Sequence, residues 1–371
     1  MTSTLATADL LDQLADIAPD SPLAAARITR DAATRHIQGS YRALFTAGDG
    51  IDFTLPERLE VARQVAVGHG DSRLADYYAT QQAVLAPPTG TGKLQAALAH
   101  ADRLTHRPAG AAPEHLAELR RVGWSPDAIV TLAQLAAFVS FQSRLLLGYR
   151  LIGNQPAEHA QAPLPVAGAW RTGGRTHSGR SAPRAFTQQE LGWEPWLNPK
   201  PLAEFSPAQQ AVLVSNGHAD SDYFRLLGRN LPVLEQRTLA DKGIFYTSGG
   251  LARKERELAA AAASKINGCI YCASVHARKA SQLSKQTDAV QHLIDTPAGE
   301  SLGQGQSPRW QAEIEFAAAL STTPAGANGQ QIARLRELGL SDLELLDLVQ
   351  AAAFFAWANR LMLTLGEPFD D

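Results

Sequence analysis

Apolar and polar positions along residues 8–150 lack the β-branched alternation of a half-buried strand; Ala, Leu, Arg and Glu dominate, and Gly or Pro interrupts the chain at helix-length intervals. This pattern predicts helices from Pro22, capped by Ser21, to Phe45, from Pro56 to Val67 and from Asp71 to Leu85. Two more follow over 113–122 and 125–150, the last opened by Ser125 and Pro126 as an N-cap and N1 pair. In the second half the same reading gives helices at 207–216, 219–228, 230–244, 251–266, 269–284, 287–295, 307–320, 328–338 and 341–365. The last contains AAAFFAWANRLMLTL, apolar on nearly every face, which implies burial at a domain or subunit contact.

Residues 153–185 are rich in Pro, Gly, Ala, Ser and Arg without an apolar period, which predicts a linker. Its Arg171, Arg175, Arg180 and Arg184 are expected to stay solvated rather than to grip an acidic partner. Trp193, Trp196 and Phe205 follow in a stretch too apolar to hang free, which predicts an extended strap lying across a helical domain. PPTGTGKLQ, residues 87–95, imitates a phosphate loop but has Pro87 where a glycine is required and Leu94 where Ser or Thr must follow the lysine. A surface loop between helices is expected there.

A repeat organises these elements. Residues 108–144 align without gaps on 324–360, with 15 identities in 37 positions. Upstream, with a shorter offset, Leu55 falls on Ala252, so that Glu60 matches Glu257 while Ser72, Ala75 and Ala79 replace Cys269, Cys272 and His276. The expected organisation is all-α: one helical copy over 1–152, a linker over 153–185 and a second copy over 186–371. Only the second carries two thiols. The first is assigned packing, oligomerisation or substrate shaping, with Glu60 as a structural carboxylate.

Composition limits the function classes. With 45% hydrophobic and 19% charged residues and a net charge of −3, the 371-residue chain reads as a soluble globular protein, with no basic excess to suggest nucleic acid or a membrane surface. The opening residues lack a basic segment followed by an apolar core, and no stretch reads as a bilayer span. Two cysteines in one close pair fit a reducing compartment, so a cytoplasmic location is expected.

That pair is the candidate chemistry. Cys269 and Cys272 are two residues apart and His276 lies four beyond, on one face if the segment after Gly268 is helical. Glu257 sits on the preceding helix, where a helical hairpin would fold it over the thiols. A dithiol beside an imidazole and a carboxylate can relay the proton that the attacking sulfur loses and the leaving oxygen gains. Unpaired amides at the helix start are expected to lower the pKa of Cys269. Two other readings stay open: small buried cysteines, and zinc held by Cys, Cys, His and Glu.

The spacing E-x11-C-x2-C-x3-H resembles the active-site signature of the AhpD type of alkyl hydroperoxide reductase, within the carboxymuconolactone decarboxylase-like superfamily. That resemblance implies two AhpD-like helical domains in tandem and a thiol peroxidase without metal, flavin or nicotinamide. It implies Cys272 as the peroxide-attacking thiol, Cys269 as the partner that closes the disulfide, and Glu257 with His276 as the proton relay. It further implies a lipoyl-bearing or thioredoxin-like reductant and a homo-oligomer. Tyr271 departs from members that carry a further histidine inside the CxxC. A general disulfide oxidoreductase, a carboxymuconolactone decarboxylase-like enzyme and a redox-sensing oligomerisation module are the alternatives.

Overall fold

The computed structural model describes residues 9–86, 88, 92–156, 162–170 and 172–370. The first copy comprises α1 (Leu10–Leu14), α2 (Pro22–Thr29), α3 (Asp31–Leu44), α4 (Leu55–Gly68), α5 (Ser72–Ala83), α6 (Gly92–His106), α7 (Pro113–Arg121) and α8 (Pro126–Ile152). The second begins with β1 (Leu191–Pro195) and continues through α9 (Pro207–Ser215), α10 (Asp222–Leu227), α11 (Leu231–Phe245), α12 (Arg253–Ile266), α13 (Ile270–Ser284), α14 (Thr287–Asp295), α15 (Pro308–Ser321), α16 (Gly329–Glu337), α17 (Asp342–Leu365) and β2 (Gly366–Asp370). The fold is all-α apart from β1 and β2, which pair antiparallel with Leu191 opposite Asp370.

Two local expectations are corrected, and the expected strap takes a defined form. The helix expected from Pro22 to Phe45 breaks at Arg30, whose φ of −101° and ψ of 35° leave the helical region. Its guanidinium then reaches Asp347 at 2.6 Å and the carbonyls of Ser248 and Gly249 at 3.0 and 2.7 Å. Within the stretch read as a surface loop, Pro87, Thr89, Gly90 and Thr91 lie outside the described residues, and α6 already begins at Gly92. Lys93 is tied to Asp52 at 2.9 Å and to the Trp124 ring at 4.5 Å, so its ammonium serves the fold. The strap becomes β1, held by its pairing with the last residues of the described chain and by the Trp193 indole donating to Met362 O at 3.2 Å.

The centre is the contact between α8 and α17, buried along essentially their whole lengths. Both are long and apolar enough to cross a membrane, contrary to the expectation that no stretch is, yet the apolar window of each is wholly inside the fold. Gly148 lets them approach: a Cβ there would lie 2.4 Å from Val349 Cγ1. Around that contact Phe138 meets Trp357 edge-on at 5.0 Å, and Phe141 meets Phe354 at 5.8 Å. The Trp357 indole donates to Gln134 Oε1 at 2.8 Å, so this large buried ring leaves no polar atom unpaired.

Two arginines at matching repeat positions tie the copies crosswise. Arg144 of α8 donates to the carbonyls of Ser321 and Thr322 at the end of α15, at 3.2 and 2.9 Å. Arg360 of α17 donates to those of Leu104 and Thr105 at the end of α6, at 3.0 and 2.9 Å. Each guanidinium satisfies carbonyls in the last turn of the other copy's helix, where the backbone dipole favours a cation. Residues of the expected linker lie on the second copy: Ala167 N donates to Glu300 O at 2.8 Å and Gly168 N to Lys265 O at 2.9 Å. Arg175, Arg180 and Arg184 are exposed, as expected, Arg180 lying 3.5 Å from Glu194 and 4.0 Å from the Phe369 ring; Arg171 is outside the described residues.

Candidate active site

The turn between α12 and α13 places the thiols. Gly268 has φ of +73°, a left-handed conformation that glycine adopts without steric cost. It allows Cys269 N to donate to Ser264 O at 2.9 Å and Gly268 N to Lys265 O at 3.4 Å, the paired bonds that close a helix C-terminus. Cys269 then stands as the N-cap of α13, and Cys272 lies in its first turn.

The first copy repeats this turn and so fixes the register between the two. Gly70 has φ of +69°, and Asp71 N donates to Ala66 O at 3.0 Å. Gly70 therefore corresponds to Gly268, and α4 and α5 fall on α12 and α13 one position away from the alignment read in the sequence. The residues standing for Glu257, Cys269, Cys272 and His276 are Leu59, Asp71, Leu74 and Tyr78, not Glu60, Ser72, Ala75 and Ala79. A few upstream residues without a shared motif could not distinguish registers one apart, whereas a left-handed glycine can. Glu60 makes an ion pair with Arg63 at 2.7 Å.

Glu257 is 1% exposed on α12 and pairs in two directions, with His276 Nδ1 at 2.6 Å and Arg253 Nε at 2.5 Å. Burial alone would raise its pKa, but His276 and Arg253 outweigh burial and lower it from the ordinary carboxylate value. Burial likewise pulls His276 down, and the Glu257 carboxylate overcomes it to leave His276 raised above 6.5. With Nδ1 given to the carboxylate, Nε2 is left for a proton-transfer role. The ring packs edge-on against Phe355 at 4.3 Å, which fixes its plane.

The two thiols are driven in opposite directions. Burial, then the hydrogen bond with Cys272, raises Cys269 well above the ordinary thiol value. Cys272 is lowered first by the hydrogen bond from Cys269, and the His276 charge, Asn359 and the Arg237 charge add to it against burial. The expectation of an acidic Cys269 is thus corrected. At 1% exposure its sulfur is too enclosed to ionise, and the charge settles on Cys272, one turn from the imidazolium. Both cysteines are free thiols.

Four predicted residues therefore converge: Glu257 contacts His276, the His276 charge acts on Cys272, and the Cys269 thiol donates a hydrogen bond to Cys272. The structure adds residues that sequence reading missed. Asn359 accepts from Asn267 Nδ2 and donates to Ser264 Oγ, both at 3.0 Å, and also hydrogen-bonds both cysteines. Arg237 on α11 and Tyr223 on α10 lie near enough to the dithiol to interact with it electrostatically, and Asp241, one turn beyond Arg237, is raised by burial despite Arg237 and His276. Asn359 had a signal, since the first copy has Ser143 at that repeat position. Tyr223 lies outside the aligned repeat and had none. Tyr271 is half-buried with a raised hydroxyl, owed first to burial. A cleft of about 480 Å³ between the copies is lined by Arg107, Arg360, Asn267 and Gly268 but stops one residue short of the thiols.

Comparison with known proteins falls on the same helices. Residues 232–299, which hold all four motif residues, match the model of the carboxymuconolactone decarboxylase family. Among solved structures, the chain is similar to the alkylhydroperoxidase AhpD core of an uncharacterized peroxidase-related protein from Ralstonia eutropha JMP134. The similarity has 22% identity and a TM-score of 0.37, covering 44% of this chain and 86% of that one. No curated protein matches. The family match is thus confined to the segment that bears the dithiol, the carboxylate and the imidazole, and it is this segment that is similar to the carboxymuconolactone decarboxylase family.

Proposed function

We propose that the chain is a thiol-dependent hydroperoxide reductase. The observation that carries this reading is the convergence of four side chains on one helical hairpin: Cys269 and Cys272 one turn apart at the start of α13, and His276 on the same helix with its Nδ1 2.6 Å from the buried Glu257 carboxylate. The His276 charge favours the thiolate of Cys272. The Cys272 thiolate attacks the terminal peroxide oxygen, forming an S–O bond as the O–O bond breaks. His276 gives its proton to the departing alkoxide, and Glu257 balances the charge on the imidazole. The Cys269 sulfur then displaces the oxygen of the Cys272 sulfenic acid as water, leaving a disulfide. A dithiol reductant restores the pair. The resemblance suggests a lipoyl-bearing or thioredoxin-like one, and a cycling dithiol suits a reducing compartment.

Burial favours this reading over a general disulfide oxidoreductase. Sulfurs 1% and 5% exposed suit a small oxidant better than a folded protein's disulfide, and by the same measure favour a slender lipoyl arm over a thioredoxin-like protein as the reductant. The carboxymuconolactone decarboxylase-like reading does not need a CxxC, so the presence of the dithiol counts against it. The test is multiple-turnover loss of an organic hydroperoxide with a dithiol reductant. Turnover that depends on both cysteines is expected; disulfide exchange with no peroxide loss would overturn the proposal.

A further inference from the structure

Two hydrogen-bond donors close to the dithiol have no acceptor among the described residues. Tyr223 is set between the rings of Trp193 and Phe224, at 5.3 and 5.2 Å, and its hydroxyl is enclosed without a partner. Arg237 is 6% exposed, with its guanidinium over the rings of Phe354 and Trp357 at 5.0 and 5.7 Å and its Nε–H unpaired. A buried donor without an acceptor costs about 1–3 kcal/mol, and a guanidinium can only donate. The resting protein therefore holds two unmet donors beside its nucleophile.

Their placement ties them to the reaction. Phe354, under Arg237, adjoins Phe355, against which His276 packs, so one aromatic pair supports both the cation and the relay imidazole. The Arg237 charge favours the Cys272 thiolate. Burial, with both thiols adding to it, keeps the Tyr223 hydroxyl protonated and hence able to donate. The buried Asp241 carboxylate, one turn along α11, feels the Arg237 charge, yet Arg237 Nε has no hydrogen-bond acceptor among the described residues.

The geometry points to Tyr223 and Arg237 as a donor pair that receives the oxygens of the hydroperoxide at Cys272 and holds the negative charge as it moves onto the departing oxygen. This rests on the reductase reading. The thiolate electron pair becomes the new S–O bond, the O–O pair leaves with the alkoxide, and sulfur is oxidised by two electrons as the peroxide is reduced. The alkoxide takes its proton from His276. Tyr223 and Arg237 transfer nothing; they stabilise the oxygen before that proton arrives, as preorganised donors do at a developing oxyanion.

The test uses the full, prereduced chain with Tyr223→Phe and, separately, Arg237→Lys, which keeps the cation and removes Nε. Single-turnover oxidation by cumene hydroperoxide is compared with alkylation of Cys272 by iodoacetamide, whose departing iodide needs no donor. Each variant is expected to lose peroxide reactivity on the order of 100-fold while its alkylation is unchanged at equal thiolate fraction. Unchanged peroxide reactivity, or both reactions slowed alike, overturns the donor role. A wild-type chain that is alkylated yet inert to hydroperoxide overturns the reductase reading itself, and the donor pair with it.

Discussion

Replacing Glu257 by Gln keeps the side-chain shape and removes the charge that sets the relay. The carboxylate is 1% exposed, 2.6 Å from His276 Nδ1 and 2.5 Å from Arg253 Nε. Arg253 is 27% exposed and can be solvated in the variant, whereas His276 loses the interaction that overcomes its burial. The imidazole then becomes neutral at lower pH and no longer supplies a proton to the leaving oxygen near neutrality. General acid catalysis is worth about 100- to 10,000-fold. The Gln oxygen still orients the ring, so the low end applies: roughly 100-fold, or about 2.7 kcal/mol of barrier. Peroxide loss should be followed under steady state from acid to alkaline pH, with the urea midpoint confirming the fold. The basic limb of the pH profile should move to lower pH in the variant. A folded E257Q chain with the wild-type rate and profile would refute the relay.

Cys272→Ser should abolish peroxide consumption, while Cys269→Ser should leave a sulfenic acid at Cys272 that a dimedone-type probe labels under peroxide; retained turnover in the first or no labelling in the second would contradict the roles. Gly268→Ala forces a left-handed non-glycine residue and sets a Cβ 2.8 Å from the Ala109 Cβ, so it should cost roughly 1–3 kcal/mol, read as a lower urea midpoint. The His276–Glu257 pair should stabilise the fold fully between about pH 4.5 and 6.5, the unperturbed values of its members. Its contribution is lost as pH falls through the lowered Glu257 value or rises through the raised His276 value. Urea midpoints of E257Q against wild type should therefore differ most inside that window, and a difference independent of pH would exclude the linkage.

The helices were legible where capping residues and apolar runs marked them. Ser341 before Asp342 and Ser125 before Pro126 open α17 and α8 where the sequence places them, since each serine accepts from a first-turn amide. The break at Arg30 was not, because its cause lies in Asp347 and the carbonyls of Ser248 and Gly249, far along the chain. Helix α6 was obscured by the Gly- and Pro-rich segment that leads into it. The site's four motif residues come from one helical hairpin, so local spacing sufficed to find them. Tyr223, Arg237 and Asn359 arrive from α10, α11 and α17, and no local pattern carries that convergence. Cys269 was misread because a helix start was visible in the sequence and the enclosure of its sulfur was not.

The claim on which the mechanism depends is the division of labour between two sulfurs one turn apart. Site-resolved alkylation across pH, with each cysteine quantified by peptide mass spectrometry, measures it directly. Cys272 should react as a thiolate below the ordinary thiol range while Cys269 stays unmodified through that range. An acidic Cys269, or two thiols ionising together at the ordinary value, would contradict the account.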